Sequence, residues 1–157
     1  MSSSRIKTPC VGLCSTVYGD QVCRGCKRFH HEVVNWNGYD EEQKRSVCRR
    51  LEVLLVQVMM AKLEVFDSAL LRSQLESRSV RFVPEQSPYC WAYQLIARGA
   101  RLIQQTEAYG VALLPEFRGW ELPRLRDAID REFFLLSEAH YERYIAPGFL
   151  REVLAGR

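Results

Sequence analysis

Four cysteines stand close together near the N-terminus, Cys10, Cys14, Cys23 and Cys26, in the spacing C-x3-C-x8-C-x2-C. Two close pairs joined by a short loop suit a tetrahedral metal centre, because each pair spans one edge of the ion and the loop carries the chain to the other edge. The loop, Ser15 to Val22, contains the turn-forming run Tyr18-Gly19-Asp20. The rival chemistry is a pair of disulfides, as in small secreted frameworks. Met1 to Lys7 is Ser-rich and basic, with no apolar signal-peptide core after it. A reducing cytoplasm, and therefore a metal site, is the expectation. Thiolate sets suit both Zn2+ and iron–sulfur clusters. Two pairs with two to four residues between partners are the usual structural zinc arrangement, and the closely repeated C-x2-C steps of ferredoxins are absent.

The neighbours of the quartet bear on its use. Arg24, Lys27 and Arg28 surround the second pair, and four thiolates on Zn2+ carry a net charge near −2 that nearby cations would offset. The alternative is a phosphate- or partner-contacting knuckle of Arg24, Lys27, Arg28 and Trp36, with Phe29 and Trp36 as stacking surfaces. Either His30 or His31 could replace a cysteine ligand, but four cysteines already suffice, so both are expected to be solvated or hydrogen-bonded. Cys48 and Cys90 lie far from the cluster and read as small buried hydrophobes.

The segment Pro9-Cys10-Val11-Gly12-Leu13-Cys14, then Val22-Cys23-Arg24-Gly25-Cys26-Lys27-Arg28, then Glu32 and Trp36, resembles the small bacterial domain of unknown function 1289, often labelled a predicted iron–sulfur protein. The resemblance covers roughly residues 8 to 55 and implies a cluster where spacing leans to zinc, so both stay open. It implies no activity. Phe29 stands where that family usually shows Thr, a residue whose hydroxyl would cap a helix.

The elements that must position these residues read as helices. The chain has 157 residues and 47% hydrophobic content, enough for a compact core in one domain or two small ones. Arg28, Glu32 and Trp36 recur at helical spacing and predict a short helix closing over the site. After the turn signal Asn37-Gly38, Asp40 and Gln43 form a capping-box pattern, with Glu41 and Glu42 favouring the positive end of the dipole. A helix is expected from there to about Phe66, with Val47, Leu51, Leu54, Leu55, Val58 and Lys62 inward and so apolar all round at 47–60 that little can face water. That breadth leaves a homodimer open. Asp67 can cap a helix over 68–77. Val80 to Val83 alternates like a short strand, and Pro84, Ser87 and Pro88 punctuate the chain, so 78–87 is expected as a linker between a cysteine-cluster module (8–77) and a C-terminal helical region (88–157). Helices are expected over 89–109, with Leu102 and Ile103 inward, and over 122–145, where Pro147-Gly148 ends the run. Val111 to Leu114 is ambiguous. The class is all-α, a small four-cysteine metal-binding module followed by a helical bundle, with at most a short extended segment.

Charge and motif searches narrow the function. Net charge is +3, and residues 1–50 hold nine Lys/Arg against five Asp/Glu, far weaker than the basic stripe of a dedicated nucleic-acid binder. The most apolar stretch, Leu51 to Met60, is interrupted by Glu52 and Gln57 and too short to cross a bilayer. There is no H-E-x-x-H, G-x-S-x-G or Walker-type loop. His140 has Ser137, not Glu, three residues before it, so the di-iron helix pattern fails. Trp91, Tyr93, Tyr109, Trp120, Tyr141 and Tyr144 read as core rather than a pocket. The expectation is a non-enzymatic metal-binding module that docks a protein partner; an iron–sulfur redox or sensor protein and a nucleic-acid-binding zinc knuckle are the alternatives.

Overall fold

The structure is a computed structural model describing residues 6–12 and 14–156. Residues 1–5, most of the basic Ser-rich run, Leu13 of the cysteine motif, and Arg157 lie outside the described residues. In chain order the elements are α1 (His30–Asn35), α2 (Glu41–Met60), β1 (Leu63–Val65), α3 (Ser68–Ser77), α4 (Pro88–Gly99), β2 (Val111–Leu113), α5 (Leu122–His140) and α6 (Ala146–Ala155), with short 3-10 turns between several of them. The protein is mostly α, but β1 and β2 pair as a small antiparallel sheet, so all-α is too strict.

The chain gathers into two compact units, Met1–Leu51 with Phe133–Arg157, and Glu52–Glu132. The division passes through α2 and α5, and the 78–87 segment lies inside the second unit.

In the first unit, the capping box at α2 forms in both directions. Asp40 N–H donates to Gln43 Oε1 at 2.9 Å and Gln43 N–H to Asp40 Oδ1 at 2.7 Å, satisfying two otherwise orphaned donors. The buried residues of this unit are Thr16, Val22, Cys23, Cys26, Phe29, Trp36, Val47, Leu51, Phe133 and Ser137, together with the charged Lys27, Arg28, Glu32 and Lys44. α2 is not apolar all round: Glu42, Ser46, Arg49, Val53, Gln57 and Met60 make a solvent stripe along it. The expected stop at Pro147 is also corrected. α5 continues through a π-turn, Tyr141–Ile145, into α6, where Pro147 falls in the first turn, the part of a helix that best tolerates proline.

The second unit buries Leu55, Val58, Met59, Leu63, Leu71, Leu75, Cys90, Trp91, Leu95, Ile96, Val111, Leu125 and Ile129. α2 stops at Met60 rather than Phe66 because Leu63, Glu64 and Val65 pair with Leu113, Ala112 and Val111. This short apolar run fits either period, and a partner far along the chain decides it. Gly110 makes the junction possible at φ +78°, since a Cβ there would lie 2.2 Å from the Asp67 carbonyl oxygen. Asp67 caps α3 as expected, accepting from Leu70 N–H at 3.0 Å. Val80 to Val83 is not a strand. Phe82 meets Trp91 edge-on at 5.3 Å, and the Val83 carbonyl accepts the Trp91 indole N–H at 2.8 Å. α4 ends at Gly99, where Leu102 and Ile103 N–H turn back onto the Gly99 carbonyl, leaving Leu102 exposed rather than inward.

Candidate metal centre

The second cysteine pair sits on a tight hairpin. Val22 and Phe29 form an antiparallel bridge, Cys23 N–H donates to the Arg28 carbonyl at 2.8 Å, Lys27 N–H donates to the Cys23 carbonyl at 2.8 Å, and Lys27 takes a left-handed φ of +66°. Cys23 and Cys26 are 1% and 8% exposed, thiols held inside rather than displayed. Burial pushes the Cys23 thiol up, but backbone N–H groups at Cys26, Ser15 and Gly25, with the Cys26 side chain, outweigh it and hold Cys23 at about 7, below the ordinary 9.0. Cys26 is raised by burial, against the Nε–H of Arg28, which donates to its Sγ at 3.3 Å.

The first pair is placed differently. Cys10 is exposed, its Sγ accepting from Gly12 N–H at 3.4 Å, and Cys14 Sγ lies 2.9 Å from Thr16 Oγ1. Ser15 Oγ accepts the Arg24 N–H at 2.8 Å, tying the crossing loop to the hairpin. None of the six cysteines is in a disulfide. Among the described residues no three Cys, His, Asp or Glu side chains converge as a ligand set. The structure therefore brings Cys23 and Cys26 together and does not bring Cys10 and Cys14 to them. The donor chemistry of the Cys23–Cys26 half fits a thiolate-bound metal, since several N–H groups aim at its sulfurs as they do around bound thiolates.

The basic residues separate by burial. Lys27 is 1% exposed, its ammonium donating to the Arg24 carbonyl and, at 3.1 Å, to the Gly25 carbonyl, with the Phe133 ring 5.5 Å away. Arg28 is 4% exposed and lies 4.9 Å from the Trp36 ring centroid, which also receives Lys44 at 5.8 Å. Trp36 is itself buried. Of the four candidate contact residues only Arg24 faces solvent, paired with Asp20 at 3.3 Å and over the Phe134 ring at 4.7 Å.

α1 closes against this hairpin, and Phe29 at its N-cap supplies no side-chain acceptor. Glu32 takes that duty from inside the helix, accepting the Phe29 N–H at 2.8 Å while binding Arg50 through both oxygens at 2.5 and 2.7 Å. Arg50 lies 3.9 Å over the fully buried Phe29 ring. The spacing of Arg28, Glu32 and Trp36 thus marks a structural scaffold. Arg50, its central partner, went unnoticed because it lies a whole element away and no local pattern joins it to Glu32.

His31 and His140 also gather on Phe29, with ring centroids 5.9 and 6.0 Å away, and Tyr141 meets it edge-on at 5.1 Å. His31 further meets Phe149 of α6 at 5.1 Å. His30 is exposed. In the second unit Cys90 is a buried thiol pushed up to about 12, by burial first and the Glu52 carboxylate second.

No curated protein and no solved structure gives a significant match to this chain. Residues 8–54, which hold the four cysteines, α1 and most of α2, match the family model described as protein of unknown function DUF1289, and the remainder of the chain carries no family match.

Proposed function

We propose that the N-terminal segment is a metal-binding module in which Cys10 and Cys14 close onto Cys23 and Cys26 to hold one metal centre, and that the protein is a non-enzymatic adaptor rather than a catalyst. The observation that carries this reading is the set of N–H donors at the sulfurs of Cys23 and Cys26, which favour the thiolate, the metal-binding form, over the thiol. When bound, Zn2+ would supply cross-linking of the two cysteine loops, and an iron–sulfur cluster would add one-electron chemistry. The chain's own residues do the rest: Ser15, Gly25 and Cys26 stabilise the Cys23 sulfur, Arg28 serves Cys26, and Glu32 with Arg50 fixes α1 beneath them. A small module of this size commonly relies on a metal in place of a large core.

A protein partner is favoured over nucleic acid, because Lys27, Arg28 and Trp36 are interior while Val11, Val17 and Tyr18 beside the cysteines are exposed. No described helix is long and apolar enough to cross a membrane.

Metal analysis and visible absorption of anaerobically prepared protein test the reading. Stoichiometric zinc in a colourless protein, or iron with a thiolate charge-transfer absorption, supports it and decides between the two metals. A folded, metal-free protein that takes up neither would sink it.

A further inference from the structure

We propose that Arg28 is the counter-cation of the thiolate centre, acting through Cys26 and held in place by Trp36; the inference rests on the four-cysteine reading above. A guanidinium keeps its charge at every pH the folded protein meets, so burying it is unfavourable unless an anion meets it. Arg28 is 4% exposed. Its Nε–H is aimed at Cys26 Sγ at 3.3 Å. Among the described residues no ion pair joins Arg28 to a carboxylate, and the buried carboxylate of the module, Glu32, is spent on Arg50 and on the Phe29 N–H.

A neutral thiol is a weak acceptor and leaves that cation uncompensated. A metal-bound thiolate supplies the missing charge: four thiolates around Zn2+ sum to about −2, and Arg28 lies against one of them. Trp36 packs on the same cation, its ring centroid 4.9 Å from the guanidinium carbon. Arg24, two residues before Cys26, is the contrast, a solvent-facing arginine with an ordinary partner in Asp20.

The test compares the reduced full chain with Arg28→Gln and Arg28→Lys, using Zn2+ in competition with a chromophoric chelator, Co2+ as a spectroscopic probe, and thermal melts with and without metal. Arg28→Gln is expected to bind Zn2+ about ten- to a hundredfold more weakly and to shift the thiolate-to-Co2+ charge-transfer band, with partial recovery in Arg28→Lys. The melts should respond with opposite sign. Without metal, Arg28→Gln should melt no lower than wild type, because a buried uncompensated cation is gone; with metal it should melt lower. An arginine that merely packs would lower both melts, and that result, or unchanged affinity with an unchanged Co2+ band, overturns the assignment. Wild type that binds neither Zn2+ nor Co2+, and takes up no iron and sulfide, refutes the four-cysteine reading and Arg28 with it; metal-binding wild type matched by Arg28→Gln refutes Arg28 alone.

Discussion

Replacing Glu32 with Gln tests whether the scaffold beneath the cysteines rests on one buried ion pair. Glu32 and Arg50 side chains are 6% and 15% exposed, so solvent screens neither charge to any extent. Both carboxylate oxygens are in use, Oε2 with Arg50 Nη1 and Oε1 with Arg50 Nη2 and the Phe29 N–H. The Arg50 Nε is buried with no partner among the described residues, so the guanidinium depends on Glu32 for its compensation. The amide keeps one acceptor for Phe29 but turns a donor toward a guanidinium that has only donors. Removing one partner of a buried pair costs roughly 3–5 kcal/mol. The retained Phe29 bond places Glu32→Gln near the low end, about 3 kcal/mol, a large share of the 5–15 kcal/mol typical of a domain. Urea unfolding followed by circular dichroism, with amide exchange across residues 29–36, reads this directly. Arg50→Gln should cost a similar amount, and the double variant distinctly less than the two together, because no charge is then left buried. A Glu32→Gln loss within about 0.5 kcal/mol of zero, or strict additivity, would refute the reasoning.

Gly110→Ala should destabilise the second unit by at least about 2 kcal/mol, because φ is +78° and the new Cβ meets the Asp67 carbonyl oxygen; thermal melts check it. His31 is held below its ordinary 6.5 by burial first, with Arg50 and His30 adding and Glu32 opposing; His140 is lowered by burial and Arg50, again against Glu32. The folded state therefore binds fewer protons than the unfolded one, and stability is full above pH 6.5 and falls as pH drops through that value toward the lowered folded values. The pH dependence of urea midpoints should flatten in a His31→Gln/His140→Gln double variant, and an unchanged profile would remove both histidines from the account. Cys90, pushed up to about 12, should resist alkylation at pH 8 until the protein is unfolded, as peptide mapping by mass spectrometry would show.

The local signals that succeeded are those whose physics is contained in a few residues. The Asp40–Gln43 capping box, the Asp67 cap and the mostly helical character each depend on neighbours within one or two turns. The cysteine spacing is local in the same sense, which is why the family resemblance over the N-terminal segment was readable from the chain itself.

Where long-range contact decides, the residues alone were silent or misleading. Leu63 to Val65 looked like the end of a helix and became a strand because Val111 to Leu113 offered its backbone. Pro147 looked like a stop and became the first turn of α6 once a π-turn preceded it.

The sequence by itself determined which residues carry thiol chemistry and how they are spaced, since both belong to the chain. Only the tertiary structure decided which of the neighbouring cations are buried. Arg24, Lys27 and Arg28 are alike on paper, yet folding exposes Arg24 and buries the other two. The cost of desolvating a charge depends on that burial and on the partners waiting there, and neither can be read from a string of letters.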